Sequence, residues 1–233
     1  NSKTIKMKTL VITIAVLMGL ASCSNVSSKN SQVVTEVSYI QTGNDTIINF
    51  ENETVGKLPS GFVADATNKA KSIKWNIVNE NGNNVVAQQS INSGSCYNLL
   101  VLDKISCQDF TASVRIKAIS GEEDLGGGLV WRYIDKNNYY IARYNPLENN
   151  LRFYCVVNGS RKQLQSVDSD IKSGEWFTMT IEMKGNKITC SLNGIKLIET
   201  TDDTFKNAGN IGFWTKADAV TYFDDLKINT STK

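Results

Sequence analysis

The side chains with most chemical capacity in this 233-residue sequence are arginines and tyrosines that alternate along neighbouring segments. If Ile134 pairs with Tyr139 across the turn from Asp135 to Asn138, then Arg132 faces Ile141 and Val130 faces Arg143 on one face. Trp131, Tyr133, Tyr140, Ala142 and Tyr144 then fall on the other. The next segment has Leu151, Phe153, Cys155 and Val157 inward, with Arg152 and Tyr154 outward. Pairing Tyr144 with Leu151 sets Arg143 directly opposite Arg152, close to Arg132, Tyr139 and Tyr154. Like charges opposed on a sheet destabilise by ~0.2–1 kcal/mol unless something anionic lies between them. An acidic sugar would fill that role, its carboxylate on the arginine forks and its ring on tyrosine. Two alternatives stay open: an Asp or Glu from a neighbouring strand neutralises the arginines, or Arg–Tyr stacking is structural. A one-residue slip in register would scatter the cluster.

Other chemistry is narrower. The sequence has no histidine, so Ser-His-Asp and Cys-His nucleophile pairs and His-ligated zinc are excluded, and any acid or base must be Asp, Glu, Lys, Tyr or Cys. The acidic run Glu122-Glu123-Asp124 sits beside Gly121 and Gly126 and reads as a solvated turn. The run Gly126-Gly127-Gly128 enters a strand rather than a helix and is no phosphate cradle. Asp224 shares the parity of Val220, Tyr222, Leu226 and Ile228 on an apolar row, where a carboxylate needs a partner. The alternative there is a β-bulge at Asp224-Asp225 that turns both outward. Beyond Cys23 there are four cysteines, Cys96, Cys107, Cys155 and Cys190, which allow three connectivities. Cys96–Cys107 is the expected disulfide; Cys155 and Cys190 lie on inward rows and suit buried thiols equally well. None has metal-ligand spacing.

The elements that position these groups are strands. From Thr46 to Asn229 apolar residues recur with period two, broken by Gly and Asn, with no sustained helical period. The two-residue loop Gly185-Asn186 pairs Met183 with Ile188, Ile181 with Cys190 and Met179 with Leu192, apolar on apolar throughout. Asn193-Gly194 then returns Ile195 and Leu197 onto Leu192 and Cys190. Phe110, Ala112, Val114, Ile116 and Ala118 form another inward row. About fourteen such segments are too many for one flat sheet and suit two packed sheets. The expected class is all-β, a two-sheet antiparallel sandwich.

The amino terminus reads as a targeting signal. After Lys6-Met7-Lys8, with Met7 the expected start, comes the apolar run Leu10 to Leu20, short against the ~20 residues a spanning helix needs. It ends Leu20-Ala21-Ser22-Cys23. Without residues 1–22 the chain has 22 basic against 23 acidic residues, a net charge of −1, so no nucleic-acid partner is expected and the membrane is contacted only through a lipid. Residues 24 to about 44, rich in Ser, Asn, Val and Thr, read as a flexible tether.

Two resemblances complete the reading. Leu20-Ala21-Ser22-Cys23 resembles the lipobox of bacterial lipoproteins, which implies acylation of Cys23 and an outer-membrane lipoprotein facing the periplasm or the cell exterior. The order Phe50-Glu51, Gly127 to Tyr133, Asn138 to Tyr144, Trp176 to Gly194, Gly209 to Trp214 and Tyr222 to Leu226 resembles the concanavalin A-like lectin and glucanase superfamily. Within it the similarity is to laminin-G-like domains and the 3-keto-disaccharide hydrolases. The implied organisation is a signal peptide over 1–22, an acylated Cys23 and tether over 23–44, a jelly roll over 45–229 and a tail over 230–233. The resemblance implies a sugar site on the concave sheet, with Arg132, Tyr139, Arg143, Arg152 and Tyr154 as its residues here. It also implies a structural Ca²⁺ held by Asp224 and Glu51, with Asp225 as a spare ligand, and no organic cofactor. Laminarinase-type members carry a Glu, an Asp and a second Glu on one strand for retaining hydrolysis, and no segment here has that pattern. The first expectation is therefore a lipid-anchored domain that holds a glycan or oligosaccharide, acidic sugars included. The alternatives are a glycoside hydrolase of the keto-disaccharide type and a protein-binding adhesion domain.

Replacing Cys23 with Ser is expected to move the protein from the membrane to the soluble fraction. Fractionation of cells expressing each form measures this, and unchanged membrane association in the variant would refute the anchor.

Overall fold

The computed structural model of the chain describes residues 40–42 and 44–230. Cys23 and the signal-peptide and tether expectations, up to residue 39, lie outside the described residues. Among the described residues there are sixteen strands and no helix, numbered here along the chain. A nine-stranded sheet holds β1 (Ile40–Thr42), β2 (Asp45–Ile48), β4 (Trp75–Glu80), β5 (Asn83–Gln88), β7 (Phe110–Ser120), β12 (Trp176–Lys184), β13 (Lys187–Leu192), β14 (Ile195–Thr201) and β16 (Val220–Asn229). A seven-stranded sheet runs β11 (Ser160–Asp168), β10 (Asn150–Val157), β9 (Asn138–Asn145), β8 (Gly127–Asp135), β15 (Gly209–Lys216), β6 (Tyr97–Cys107) and β3 (Phe62–Thr67). Every pairing is antiparallel. The first strand starts at Ile40, inside the stretch expected to be tether.

Alternation builds the core between the sheets. Phe110, Ala112, Val114, Ile116 and Ala118 of β7 are all buried, and Phe177, Met179, Ile181 and Met183 of β12 lie beside them. The facing sheet contributes Trp131, Tyr140, Phe153 and Phe213. Aromatic rings cross the interface: Phe213 stacks on Phe223 with centroids 4.7 Å apart, and Tyr144 meets Phe177 edge-on at 5.4 Å. The β12–β13 register is the expected one, with Met183, Ile181 and Met179 opposite Ile188, Cys190 and Leu192.

Bulges account for the departures. In β13–β14, Ile195 meets Leu192 as expected, but a register shift between Cys190 and Ser191 brings Ile198 rather than Leu197 to Cys190. In β16, Phe223 is inward before the bulge and Leu226 and Ile228 after it, so no single parity runs through the strand. Asp225 takes a left-handed φ of 49° at that point. The bulge also marks a change of neighbour. Thr221 to Phe223 pair with β5, whereas Leu226 to Asn229 pair with β2.

The expected Cys96–Cys107 disulfide is not formed; both are free thiols, as are Cys155 and Cys190. Cys96 precedes β6 and Cys107 ends it; even with the bulge between Val101 and Ser106, β6 runs beside β15 from Lys216 to Gly209, roughly 23 Å against the ~7 Å Cα limit for a disulfide. Burial raises all four thiols, Cys107 to about 11 and Cys190 to about 12, so they stay protonated and unreactive near neutrality.

Phe213 is fully buried and touches the rings of Phe50, Phe62 and Phe223. Phe213→Ala is expected to destabilise the sandwich by ~3–5 kcal/mol in urea unfolding. Ile195→Ala, at a side chain 65% exposed, should stay within ~0.5 kcal/mol.

Candidate functional site

The outward-pointing residues of the seven-stranded sheet form a second cluster, apart from the core. Leu100, Tyr140, Phe153 and Phe213 point into the sandwich. By alternation Tyr97, Leu99, Val130, Tyr139, Ile141, Tyr154, Val156 and Trp214 gather on the opposite face. The charged groups of the candidate site are set into this apolar floor.

Arg143 and Arg152 are direct cross-strand partners, as expected. A carboxylate neutralises them from within the chain. Glu148, in the turn between β9 and β10, places one oxygen 3.0 Å from Arg143 and 2.6 Å from Arg152. Burial alone would raise the Glu148 carboxyl, but the two guanidinium groups and Asn150 hold it below its ordinary value. Arg143 is almost fully buried and also donates to the Asn150 carbonyl and side chain and, at 3.4 Å, to the Tyr154 hydroxyl. Tyr139 pairs with the Thr67 hydroxyl at 2.6 Å and stacks on Tyr133.

Arg132 is elsewhere. The turn pairs Asp135 with Asn138 as expected, but beyond it the register shifts by two residues, so Val130 meets Ile141 and Trp131 meets Tyr140. Arg132 lies in that bulge with φ 45° and is turned off the outer face, while Tyr133 joins that face instead. Its guanidinium is buried at the end of the sandwich, donating to the carbonyls of Phe205, Gln108 (3.1 Å) and Gly185 (2.7 Å). Three carbonyls offer a cation more than an exposed face would, so the chain twists to deliver it.

Four residues missed from sequence complete the face. Arg161 of β11 lies over three rings, 4.3 Å from the centroid of Tyr154, 5.1 Å from Tyr97 and 5.6 Å from Trp214. The turn Asn158-Gly159 carried the signal for it, since that two-residue loop fixes Val156 opposite Arg161. Lys216 of β15 and Asp124 form an ion pair of 3.0 Å, and Asn145 donates to the other Asp124 oxygen at 3.2 Å. Burial raises the Asp124 carboxyl despite the opposing pull of Lys216, then of Arg143 and Arg161. The solvated-turn reading of the acidic run therefore holds for the exposed Glu122 and Glu123 and fails for Asp124. One carboxylate shapes that loop: Asp218 accepts the backbone N–H of Glu122 (2.7 Å), Glu123 (3.1 Å) and Asp124 (3.0 Å).

The residues expected to hold Ca²⁺ do not fit one. Asp224 accepts from the Asn83 amide at 2.9 Å and from the Asp225 N–H at 2.7 Å, and the Arg115 guanidinium stands 3.7 Å away. Asp225 pairs with the same arginine at 3.2 Å, while the exposed Glu51 approaches the Asn84 N–H at 3.5 Å. A resident guanidinium and committed oxygens oppose a second cation. Among the described residues no group of three His, Cys, Asp or Glu side chains is spaced to hold a metal ion.

Burial alone would raise the Asp218 carboxyl, but the three N–H bonds hold it below its ordinary 3.8. Its stabilising contribution is thus present above 3.8 and is lost as pH falls through the depressed folded value. Asp218→Asn keeps an acceptor but not the charge, and is expected to lower stability by about 1 kcal/mol near neutrality. The difference between wild type and variant should shrink in denaturant titrations below about pH 4 as the wild-type carboxylate is protonated.

Comparison with known proteins places this geometry. Residues 56–229 match the family described as the 3-keto-alpha-glucoside-1,2-lyase-like domain. No curated protein matches the sequence. Among solved structures, the carbohydrate-binding module CBM66 from Bacillus subtilis aligns with a TM-score of 0.60 at 18% identity, covering 72% of this chain and 95% of that one. Domain 4 of AbnA, a GH43 extracellular arabinanase from Geobacillus stearothermophilus in complex with arabinotriose, aligns with a TM-score of 0.51 at 12% identity, covering 79% and 91%. A prokaryotic beta-1,3-1,4-glucanase (lichenase) derived from a mouse hindgut metagenome aligns with a TM-score of 0.55 at 10% identity, covering 81% and 100%. The sandwich is a concanavalin A-like jelly roll, and the family match spans nearly all of it: this chain belongs to the 3-keto-alpha-glucoside-1,2-lyase-like domain family.

Proposed function

We propose that the outer face of the seven-stranded sheet holds a saccharide and that the chain acts as a carbohydrate-binding domain tethered to the outer membrane through Cys23. The observation that carries this reading is Arg161 set over Tyr97, Tyr154 and Trp214. The rings beneath it are almost fully buried, so what the face presents is the guanidinium edge with its polar neighbours, and these suit the hydroxyl rim of a sugar. Asp124, Lys216 and Tyr154 border the same floor with acceptors and donors. The Bacillus binding module and the arabinotriose-bound arabinanase domain support the reading, being built on the same sandwich. The lipobox-like Leu20-Ala21-Ser22-Cys23 supports the anchor.

A second reading is catalytic and rests on Asp124 and Lys216. The family description names elimination between C1 and C2 of a 3-keto-glucoside rather than addition of water. In such a step a base removes the C2 proton, acidified by the adjacent ketone, and the C1–O bond breaks with its electron pair leaving on oxygen. A buried carboxylate of raised proton affinity at 3.0 Å from an ammonium supplies a base and a proton donor side by side.

The readings separate in one experiment. Oligosaccharides and 3-keto-disaccharides are screened on an array and then incubated overnight with the protein. Binding is expected with the ligand recovered intact, and Lys216→Ala of unchanged circular dichroism should weaken it about tenfold. Cleavage that disappears in Asp124→Asn would replace the binding reading with the catalytic one. Neither binding nor cleavage of any saccharide would refute both and favour a protein partner.

A further inference from the structure

The four basic groups bordering the face differ in one respect that charge counting misses. Arg143 and Arg152 share Glu148. Lys216 is paired with Asp124, and Glu123 stands 4.0 Å from it. Arg161 has no carboxylate within ion-pair reach among the described residues. Its neighbours are three ring faces, and its Nη1 is buried without a hydrogen-bond partner. Asp124 is the acid that feels it electrostatically, and both Asp124 oxygens are already engaged, by Lys216 and Asn145.

Resting on the saccharide reading, we infer that the ligand is an acidic sugar and that its carboxylate is received by Arg161 rather than by the opposed pair Arg143 and Arg152. The rings desolvate the flat faces of the guanidinium and fix its plane, so its hydrogen-bonding edge is the part left to act. Nη1 is shut in against the rings, whereas Nε and Nη2 are not buried, and a carboxylate can accept two parallel N–H bonds from that open edge. The arginine pair offers no such gain, because a ligand there would first have to displace Glu148 from two close ion pairs. Neutral hydroxyls would still use the polar groups that border the face. The carboxylate therefore adds selectivity to a surface that already has affinity for sugar.

The test uses oligosaccharides ending in a uronic acid and the same oligosaccharides after carboxyl reduction, titrated calorimetrically into the full chain. Wild type is expected to prefer the acid by at least about tenfold, with the preference falling as salt is raised. Arg161→Met keeps an apolar stem between the rings and should abolish the preference while leaving the neutral ligand bound. Arg161→Lys should restore only part of it, since an ammonium lacks the planar fork. Arg152→Ala should leave the preference intact. Equal binding of acidic and reduced ligand by wild type, or a preference that survives Arg161→Met, overturns the inference while the saccharide reading stands. Failure of every acidic and neutral ligand to bind wild type overturns the saccharide reading itself.

Discussion

A buried guanidinium that must find acceptors sets the geometry of one whole end of the sandwich. Arg132 satisfies three carbonyls that come from three different connections: Gln108 between β6 and β7, Gly185 between β12 and β13, and Phe205 between β14 and β15. Burial lowers its proton affinity, with Asp109 and Asp203 among the groups pulling the other way, and it remains a cation. Holding it there forces a left-handed backbone at an arginine, which is unfavourable unless the surroundings enforce it. The neighbouring strand adapts. An added Cβ at Gly209 would lie 2.5 Å from the Arg132 carbonyl carbon, so that position admits glycine alone. The same twist delivers Tyr133 to the outer face beside Tyr139, and so links the end clamp to the composition of the candidate site.

On that face, electrostatic satisfaction is local. Each of three basic groups has an acid supplied by a nearby turn or loop: Glu148 for Arg143 and Arg152, Asp124 for Lys216. The loop that carries Asp124 is itself fixed, where Asp218 gathers the three consecutive N–H groups of residues 122–124. Such arrangements cost side-chain entropy during folding rather than during binding, which is the condition for a preorganised surface.

Regular parts of this structure were legible in the sequence, and irregular parts were not. The register of β12 on β13 follows from alternation and a two-residue turn, and the opposition of Arg143 and Arg152 follows from the same logic one hairpin away. Most failures lie at a bulge or in a connection, whereas Arg161 and Lys216 were missed on regular stretches of strand. The Arg132 bulge has no local marker, because its cause is three carbonyls distant in sequence, and the β16 bulge is masked by apolar residues on both sides of its phase change. Glu148 and Asp124 sit in loops, where alternation says nothing about direction. The Cys96–Cys107 pairing failed for a simpler reason: proximity in sequence becomes distance in space when the intervening residues run along one strand.

The shared edge of β16 bears on how the molecule is assembled in time. This final strand is neighbour to β7 along one side and to both β2 and β5 along the other, so three strands from the first half of the chain wait for a segment more than a hundred residues later. Contacts of such sequence separation carry the loop-closure entropy of nearly the whole domain and form late. Until β16 arrives, β2, β5 and β7 each keep an unpaired edge and the aromatic stack lacks Phe223. The nascent chain consequently has no route to a closed sandwich by local pairing alone. It stays unfolded for longer than a helical protein of its size, with those edges open to pairing with another chain in the meantime.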